Sequence, residues 1–154
     1  MIKAKDFLSF LCNKLEYRFF SGVASPGMTK LYKNMSPDFM HYVPAVNEKI
    51  AFGLVSGAYV AGIKGCIIID HKFFYDIMRE IKDFSLVYKI PLLLIVHGYN
   101  DFIENIIPKV IIKSNDDSDS VYKSLQKISD LSNKKEVPGI IFIKGEVFIW
   151  KEIL

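Results

Sequence analysis

Cysteine is scarce in this sequence, which limits how the chain can be held together. Its 154 residues include two cysteines, Cys12 and Cys66. The first falls in a predicted helix and the second in a predicted buried strand, without the paired spacing of a disulfide scaffold. We therefore expect both to be reduced thiols in the core, and a disulfide framework is excluded.

Long hydrophobic runs are also missing. The densest apolar run, Ile90–Val96, is far shorter than the roughly 20 residues of a membrane span, and it is typical of a buried strand. Apolar residues in Met1–Phe20 follow helical spacing, but Asp6, Lys14 and Glu16 interrupt them, which the apolar region of a signal peptide would not tolerate. We therefore expect a cytoplasmic protein without membrane contact.

Candidate metal ligands are few. The three histidines are His41, His71 and His97, and no pair has the i, i+4 spacing of a helical metal site. The polar cluster Ser114–Ser120 lacks the glycine and the terminal glutamate of a calcium-binding EF-hand, and it is more typical of a helix N-cap. The sequence predicts no metal site in this chain.

Two of the histidines are nevertheless candidates for an active site. His71 and His97 each follow a strand-like run, and open α/β sheets bind ligands at the carboxyl ends of their strands. A histidine that only satisfies neighbouring backbone groups is the alternative, and the sequence leaves both interpretations open.

Apolar residues and lysines are plentiful. Hydrophobic residues make up 51% of the chain, enough to fill a sizeable core, and 154 residues is a usual length for one domain. We therefore expect a single domain over residues 1–154. The net charge of +3 comes from 20 basic and 17 acidic residues. Because the lysines are scattered, they predict a solvated surface and no nucleic-acid partner.

Strands and helices alternate along the chain. Strand-like apolar runs lie at Tyr42–Pro44, Cys66–Ile69, Pro91–Val96 and Ile140–Ile143, and helical patterns lie near 2–18, 27–34, 47–61, 73–86 and 118–132. This alternation predicts βαβ units and a parallel sheet. Val110–Ile112 is predicted to add a short strand. Glu146–Trp150 is predicted to form an antiparallel edge hairpin with Ile140–Ile143 across Lys144 and Gly145.

The most informative segment is Val43–Gly62, which reads VPAVNEKIAFGLVSGAYVAG. Asn47 is a good N-cap, and Glu48 then falls in the first helical turn, where the macrodipole favours a negative charge. Capping alone would account for Glu48. The two glycines at 53 and 57 are harder to explain, because each interior glycine costs about 1 kcal/mol relative to alanine. Since they share one helix face, we expect something to pack closely there.

Four segments, SGVASPGMTKLY from Ser21, HYVPAVNEKIAFGLVSGAYVAG from His41, GCIIID and KIPLLLIVHG, occur in an order that resembles a known family. The family is the pyrimidine-binding domain of thiamine-diphosphate enzymes, in particular phosphonopyruvate and sulfopyruvate decarboxylases. The resemblance covers roughly Phe20 to Tyr99, and its most specific parts are Asn47-Glu48 and Ser56-Gly57-Ala58-Tyr59. It implies an α/β fold in which a parallel sheet lies between two layers of helices.

The resemblance also implies roles for individual residues. Glu48 would be catalytic, with its carboxyl hydrogen-bonded to the ring nitrogen of the cofactor's aminopyrimidine. Apolar neighbours such as Val46, Ile50 and Ala51 would enclose it. Asp70 and His71 are further candidates for binding the thiamine diphosphate, and His71 and His97 are weaker candidates for contact with a small 2-oxoacid substrate.

A partner is implied as well, because the chain lacks the Gly-Asp-Gly motif with which the family holds Mg²⁺ and the diphosphate. The resemblance is to the shorter chain of decarboxylases that are split into two subunits. A separate diphosphate-binding subunit would then complete the active site in a hetero-oligomer. Gly53 and Gly57 could face that subunit, or they could admit a neighbouring helix of the same chain; the sequence does not decide between the two.

The sequence departs from the family pattern after the strand-like run that ends at Ile69. A glycine-containing loop is replaced by Asp70-His71-Lys72-Phe73-Phe74-Tyr75-Asp76, so the loop must have another shape. An arginine that could clamp a substrate anion is missing, since the chain has only Arg18 and Arg79. These departures leave a second hypothesis open: a non-catalytic interaction or regulatory module that kept the fold. A flavodoxin-like small-ligand binder is a third, which rests on the α/β pattern alone.

Overall fold

The structure is a computed structural model that describes residues 1–99 and 107–149. The strands are β1 (Ile2–Lys3), β2 (Phe19–Gly22), β3 (His41–Pro44), β4 (Gly65–Asp70), β5 (Leu93–His97), β6 (Lys109–Lys113), β7 (Gly139–Lys144) and β8 (Phe148–Ile149). The α-helices are α1 (Ala4–Ser9), α2 (Thr29–Tyr32), α3 (Glu48–Val60), α4 (Phe74–Glu80) and α5 (Ser118–Lys135). Two π-helical segments, Phe10–Lys14 and Ile81–Ser85, extend α1 and α4, and 3-10 turns at Pro26–Met28 and His71–Phe73 precede α2 and α4.

Six strands form one sheet in the order β3-β2-β4-β5-β7-β6, and every neighbouring pair is parallel. The predicted parallel sheet is confirmed, and so is the short strand predicted at Val110–Ile112, which lies within β6. Parallel strands need a crossover between them, so the helices come to lie on the faces of the sheet.

The central strands are buried on both faces. In β4, Cys66 and Ile68 pack in a core with side chains of α1, α2 and α5. Ile67 and Ile69 point the other way, into a core with α3 and α4. The near-continuous apolar runs of the sequence follow from this, because both sides of each central strand must be apolar. The arrangement of a sheet between two helical layers is confirmed.

The two cysteines are free and buried, as predicted. Burial raises the pKa of the Cys12 thiol to about 11, and it also raises the pKa of Cys66. Both side chains are therefore protonated packing groups of the core.

The antiparallel hairpin predicted at Glu146–Trp150 is wrong in the described residues, which end before Trp150. β8 pairs in parallel with β1, in a separate two-stranded sheet. Phe148 is buried there and packs edge-on against Phe7, with ring centroids 5.1 Å apart. Contact with the first helix of the chain therefore outweighs a tight turn back onto β7.

The helix predicted over 2–18 is shorter than expected. Helical structure ends at Lys14, and Glu16 adopts a left-handed backbone conformation with φ 66°. This turn leads the chain into β2, a strand that the apolar runs did not reveal because it holds Ser21 and Gly22. In the described part of the chain, no helix combines the length and the apolar character needed to cross a membrane.

Alanine substitutions at two glycines test the packing and should change the free energy of unfolding in opposite directions. A Cβ added at Gly57 in α3 would meet no atom within 4 Å, so the Gly57→Ala variant should raise the free energy of unfolding of the isolated chain by about 0.5–1 kcal/mol. A Cβ at Gly22 would collide with the carbonyl group of Ile68 in β4, so Gly22→Ala should lower it by about 1–3 kcal/mol. Denaturant unfolding of the two variants measures both changes, and equal effects would contradict the described packing.

Candidate active site

Polar residues line up along one edge of the sheet. Since all six strands of the main sheet are parallel, their carboxyl ends meet at the same edge, where α/β sheets bind ligands. Ser25 follows β2, Glu48 follows β3, Asp70 ends β4, His97 ends β5 and Glu146 follows β7. The strand order therefore sets these residues in a row along the edge, beginning with Glu48.

Glu48 occupies the first turn of α3, as predicted. Asn47 is the N-cap, and its side-chain oxygen accepts a hydrogen bond from the Ile50 backbone N–H at 2.9 Å. Glu48 is only 7% exposed and lines a cavity of about 200 Å³ together with Ser25, Asp70 and other residues. Within residues 1–99 and 107–149, its carboxylate has no hydrogen-bond or ion-pair partner. A nearly buried carboxyl group of this kind can form a hydrogen bond with a ligand at little cost to the protein.

The enclosure predicted around Glu48 is wrong in part. Ala51 is buried, but Val46 is 84% exposed and Ile50 is 44% exposed. Both belong to the outer surface of the helix start, whereas Phe73 lines the cavity. Phe73 comes from the segment that replaces the family's glycine loop, and there the chain forms a 3-10 turn capped by Asp70.

Asp70 is the centre of a cluster of donors. One carboxylate oxygen accepts the Lys72 backbone N–H at 3.0 Å, and the other lies 3.3 Å from the Ser25 hydroxyl and 3.3 Å from His97 Nδ1. His71 Nδ1 lies 3.3 Å from the first oxygen. Burial alone would raise the pKa of Asp70, but the hydrogen bonds from Lys72 and His97 and the charges of the two imidazoles hold it below its usual value. The carboxylate is therefore ionised at neutral pH.

The hydrogen bonds define which ring nitrogens remain available. His71 Nδ1 lies 3.0 Å from the carbonyl oxygen of His97, which can only accept, so Nδ1 carries a proton. His97 Nδ1 likewise donates to the ionised Asp70. In both rings Nε2 is then the nitrogen that can meet a ligand.

Two glycines make room for these rings. A Cβ at Gly27 would fall on the ring of His97, and a Cβ at Gly98, which has φ 98°, would fall on the ring of His71. The cluster therefore depends on glycine at both positions. The sequence signal for this packing was the Ser25-Pro26-Gly27 turn directly after β2, which sequence reasoning did not connect to the histidines.

A second, larger cavity lies farther along the same edge. It has a volume of about 570 Å³ and is lined by residues that include Gly27, Lys30, His97 and Glu146. Lys30 forms an ion pair with Glu146 at 3.7 Å. Sequence reasoning missed Lys30 and Glu146, because they come from α2 and from the turn after β7, far apart in the chain.

The structure brings Glu48, Asp70, His71 and His97 to one edge of the sheet, whereas His41 begins β3 and lies at the opposite end of that strand. Among the described residues, no group of three or more His, Cys, Asp or Glu side chains has a geometry that could hold a metal ion.

The chain is similar to known proteins in sequence and in fold. No protein-family model matches the chain. Sulfopyruvate decarboxylase subunit alpha of Methanococcus maripaludis is 28% identical to it over 127 residues, which are 73% of this chain and 75% of that protein.

Two solved structures share the fold. Benzoylformate decarboxylase from Polynucleobacter necessarius superimposes with a TM-score of 0.74 at 14% identity, over 100% of this chain and 32% of that one. A protein from Mycobacterium smegmatis, described as a thiamin diphosphate-dependent enzyme, gives a TM-score of 0.66 at 12% identity, over 97% of this chain and 34% of that one. The chain thus spans about a third of the length of these structures. In sequence and in fold, it therefore resembles the pyrimidine-binding, alpha-type subunit of thiamine-diphosphate-dependent decarboxylases.

Proposed function

We propose that residues 1–154 form the pyrimidine-binding domain of a thiamine-diphosphate-dependent 2-oxoacid decarboxylase, acting on a substrate like sulfopyruvate or phosphonopyruvate. The observation that carries this proposal is Glu48, a nearly buried carboxylate at the start of α3 that faces a cavity without a partner in the described chain. The relative from Methanococcus maripaludis, named for sulfopyruvate and for an alpha subunit, supports the substrate class and the division into subunits.

Glu48 would hold a proton at the cofactor's pyrimidine. Its carboxyl group would donate a hydrogen bond to the ring nitrogen, and a proton passed to that nitrogen would make the exocyclic amino group more acidic. Thiamine diphosphate, when bound, supplies the carbon nucleophile and the electron sink of the decarboxylation. Phe73, which lines the cavity, would limit access of water to Glu48, and Asp70, in the same cavity, orients the histidines beside it.

The diphosphate and Mg²⁺ would be held by a second chain. This chain has no Gly-Asp-Gly motif, and its described residues offer no metal cluster. The partner would therefore carry that motif, and together the two chains would complete the active site.

The surface for that partner is an exposed stripe on α3, formed by Ile50, Gly53, Gly57 and Val60. Ile50 is 44% exposed and Val60 is 77% exposed. A Cβ at either glycine would meet no atom of the described chain within 4 Å, so the alternative of a neighbouring helix in the same chain is wrong for those residues. Because Glu48 begins the same helix, a subunit that covers the stripe would come next to the Glu48 cavity.

Replacing Glu48 tests its catalytic role. In the complex with its partner, Glu48→Gln should lower kcat by roughly a hundredfold or more, the range of a lost proton-transfer group. Steady-state decarboxylation of sulfopyruvate measures the effect, and size-exclusion chromatography checks that the complex still assembles. The matched control is Glu16→Gln, an exposed glutamate before β2 that should leave the rate unchanged.

An assembled Glu48→Gln complex with the rate of the wild-type complex would contradict the role of Glu48. If no partner supports cofactor-dependent turnover of any 2-oxoacid, the chain is instead the non-catalytic module that the altered loop at Asp70–Asp76 suggested.

Replacing Gly57 tests the stripe as the partner surface. Gly57→Leu should leave the isolated chain folded, since the position is open, but should abolish copurification of the Gly-Asp-Gly subunit and of its thiamine diphosphate. Affinity purification with mass spectrometry and a cofactor assay measures this. The control is Lys127→Leu, which adds the same side chain at an exposed site of α5, on the other face of the sheet. Equal loss with both variants would contradict the assignment of the stripe.

A further inference from the structure

The larger cavity at the sheet edge is lined by basic side chains that the Glu48 chemistry does not require. Its ionisable lining residues are Lys30, His97 and Glu146. The Lys30 side chain is 21% exposed and the His97 side chain is 28% exposed, so both are mostly enclosed, whereas the Glu146 side chain is 87% exposed. The enclosed groups are the basic ones.

His97 presents one defined atom for binding. Its Nδ1 is engaged with Asp70 at 3.3 Å, and Gly27 leaves space for the ring where a Cβ would block it. Nε2 is the nitrogen left to bind a ligand in the cavity, and it donates to an anion when both ring nitrogens carry protons. A ring fixed in this way loses little conformational entropy when a ligand binds.

The ion pair of Lys30 can be exchanged. Glu146 lies 3.7 Å from Lys30 and reaches it from an almost fully exposed position. An ion pair at this distance with one partner in solvent is weak, and salt screens it. A ligand anion inside the cavity can therefore replace the Glu146 carboxylate at the Lys30 ammonium.

Arginine, the usual clamp for such an anion, is absent from this edge. Arg18 immediately precedes β2, at the opposite end of the strand, and Arg79 pairs with Asp83 on the surface with 86% of its side chain exposed. Lys30 and His97 are the basic side chains that line this cavity and can donate hydrogen bonds to a sulfonate or phosphonate oxygen.

We propose that Lys30 and His97 bind the strongly acidic tail, sulfonate or phosphonate, of the 2-oxoacid, and that Asp70 positions His97 for this contact. The inference rests on the proposed function and assigns the substrate selectivity of that site to residues of this chain. The two cavities are neighbours along the same edge of the sheet, and Pro26 lines both of them. The tail would thus lie on the side of Asp70 that faces away from Glu48.

The test compares two substrates that differ only in the tail, sulfopyruvate and pyruvate. In the assembled complex, Lys30→Met and His97→Asn should each lower the ratio of kcat/KM for sulfopyruvate over pyruvate by roughly ten- to a hundredfold, the value of a charge-assisted hydrogen bond. His97→Asn is chosen because its side-chain N–H can still donate to Asp70 while Nε2 is lost.

Glu146→Gln should have the opposite effect, because it removes a carboxylate that competes with the substrate anion at Lys30. The KM for sulfopyruvate should fall severalfold, and the KM for pyruvate should stay unchanged. Lys33→Met is the matched control, a lysine three residues further along that does not line the cavity, and it should leave the ratio unchanged.

A binding measurement separates this inference from the proposed function. In imidazole ¹⁵N spectra of the full chain, 3-sulfopropanoate should shift His97 Nε2 and propanoate should not, and Lys30→Met should remove the shift. Asp70→Asn should change the His97 tautomer in the same spectra, which a merely structural role would not. If the His97 shift is observed but no complex shows turnover, the anion site stands and the proposed decarboxylase function fails. Turnover with an unchanged substrate ratio and no shift would overturn the anion site.

Discussion

The parallel register of the six-stranded sheet is the constraint on which the rest of the structure depends. Because every neighbouring pair is parallel, helices cover both faces and the central strands must be apolar on both sides. In β4, β5 and β7, polar side chains are thereby confined to the strand ends. All the candidate functional side chains along this row, including Glu48, Asp70 and His97, lie at the carboxyl edge for this reason. The site is a consequence of the sheet rather than an addition to it.

Asp70 connects the two parts of that edge. It lines the cavity of Glu48, and it also holds His97, which lines the larger cavity. The hydrogen bonds it accepts keep it ionised, so its charge fixes the Nδ1 proton of His97 as well as the position of the ring. The family's glycine loop is replaced here by a 3-10 turn that Asp70 itself caps. One carboxylate therefore stabilises the altered loop and orients the basic groups beyond it.

Local patterns predicted much of this arrangement. The long apolar runs gave β4, β5 and β7, and Asn47 before Glu48 gave the start of α3, because burial and capping depend on neighbouring residues. The contacts between distant segments were not predictable. The pairing of β1 with β8 involves two residues in each strand, too few for a periodic signal. Asp70 and His97 are 27 positions apart, and their contact requires the register of β4 and β5. The exposure of Val46 depends on the direction from which the chain enters α3.

The most direct test of the central claim is a cryo-EM structure of the complex that copurifies with this chain from its native source, determined with thiamine diphosphate. The account predicts a Glu48 carboxylate oxygen at a hydrogen-bonding distance of about 2.7–3.0 Å from the pyrimidine ring nitrogen, with the diphosphate-binding subunit packed on the α3 stripe. A complex in which the cofactor is absent or lies away from Glu48, with another surface of the chain at the interface, would contradict it.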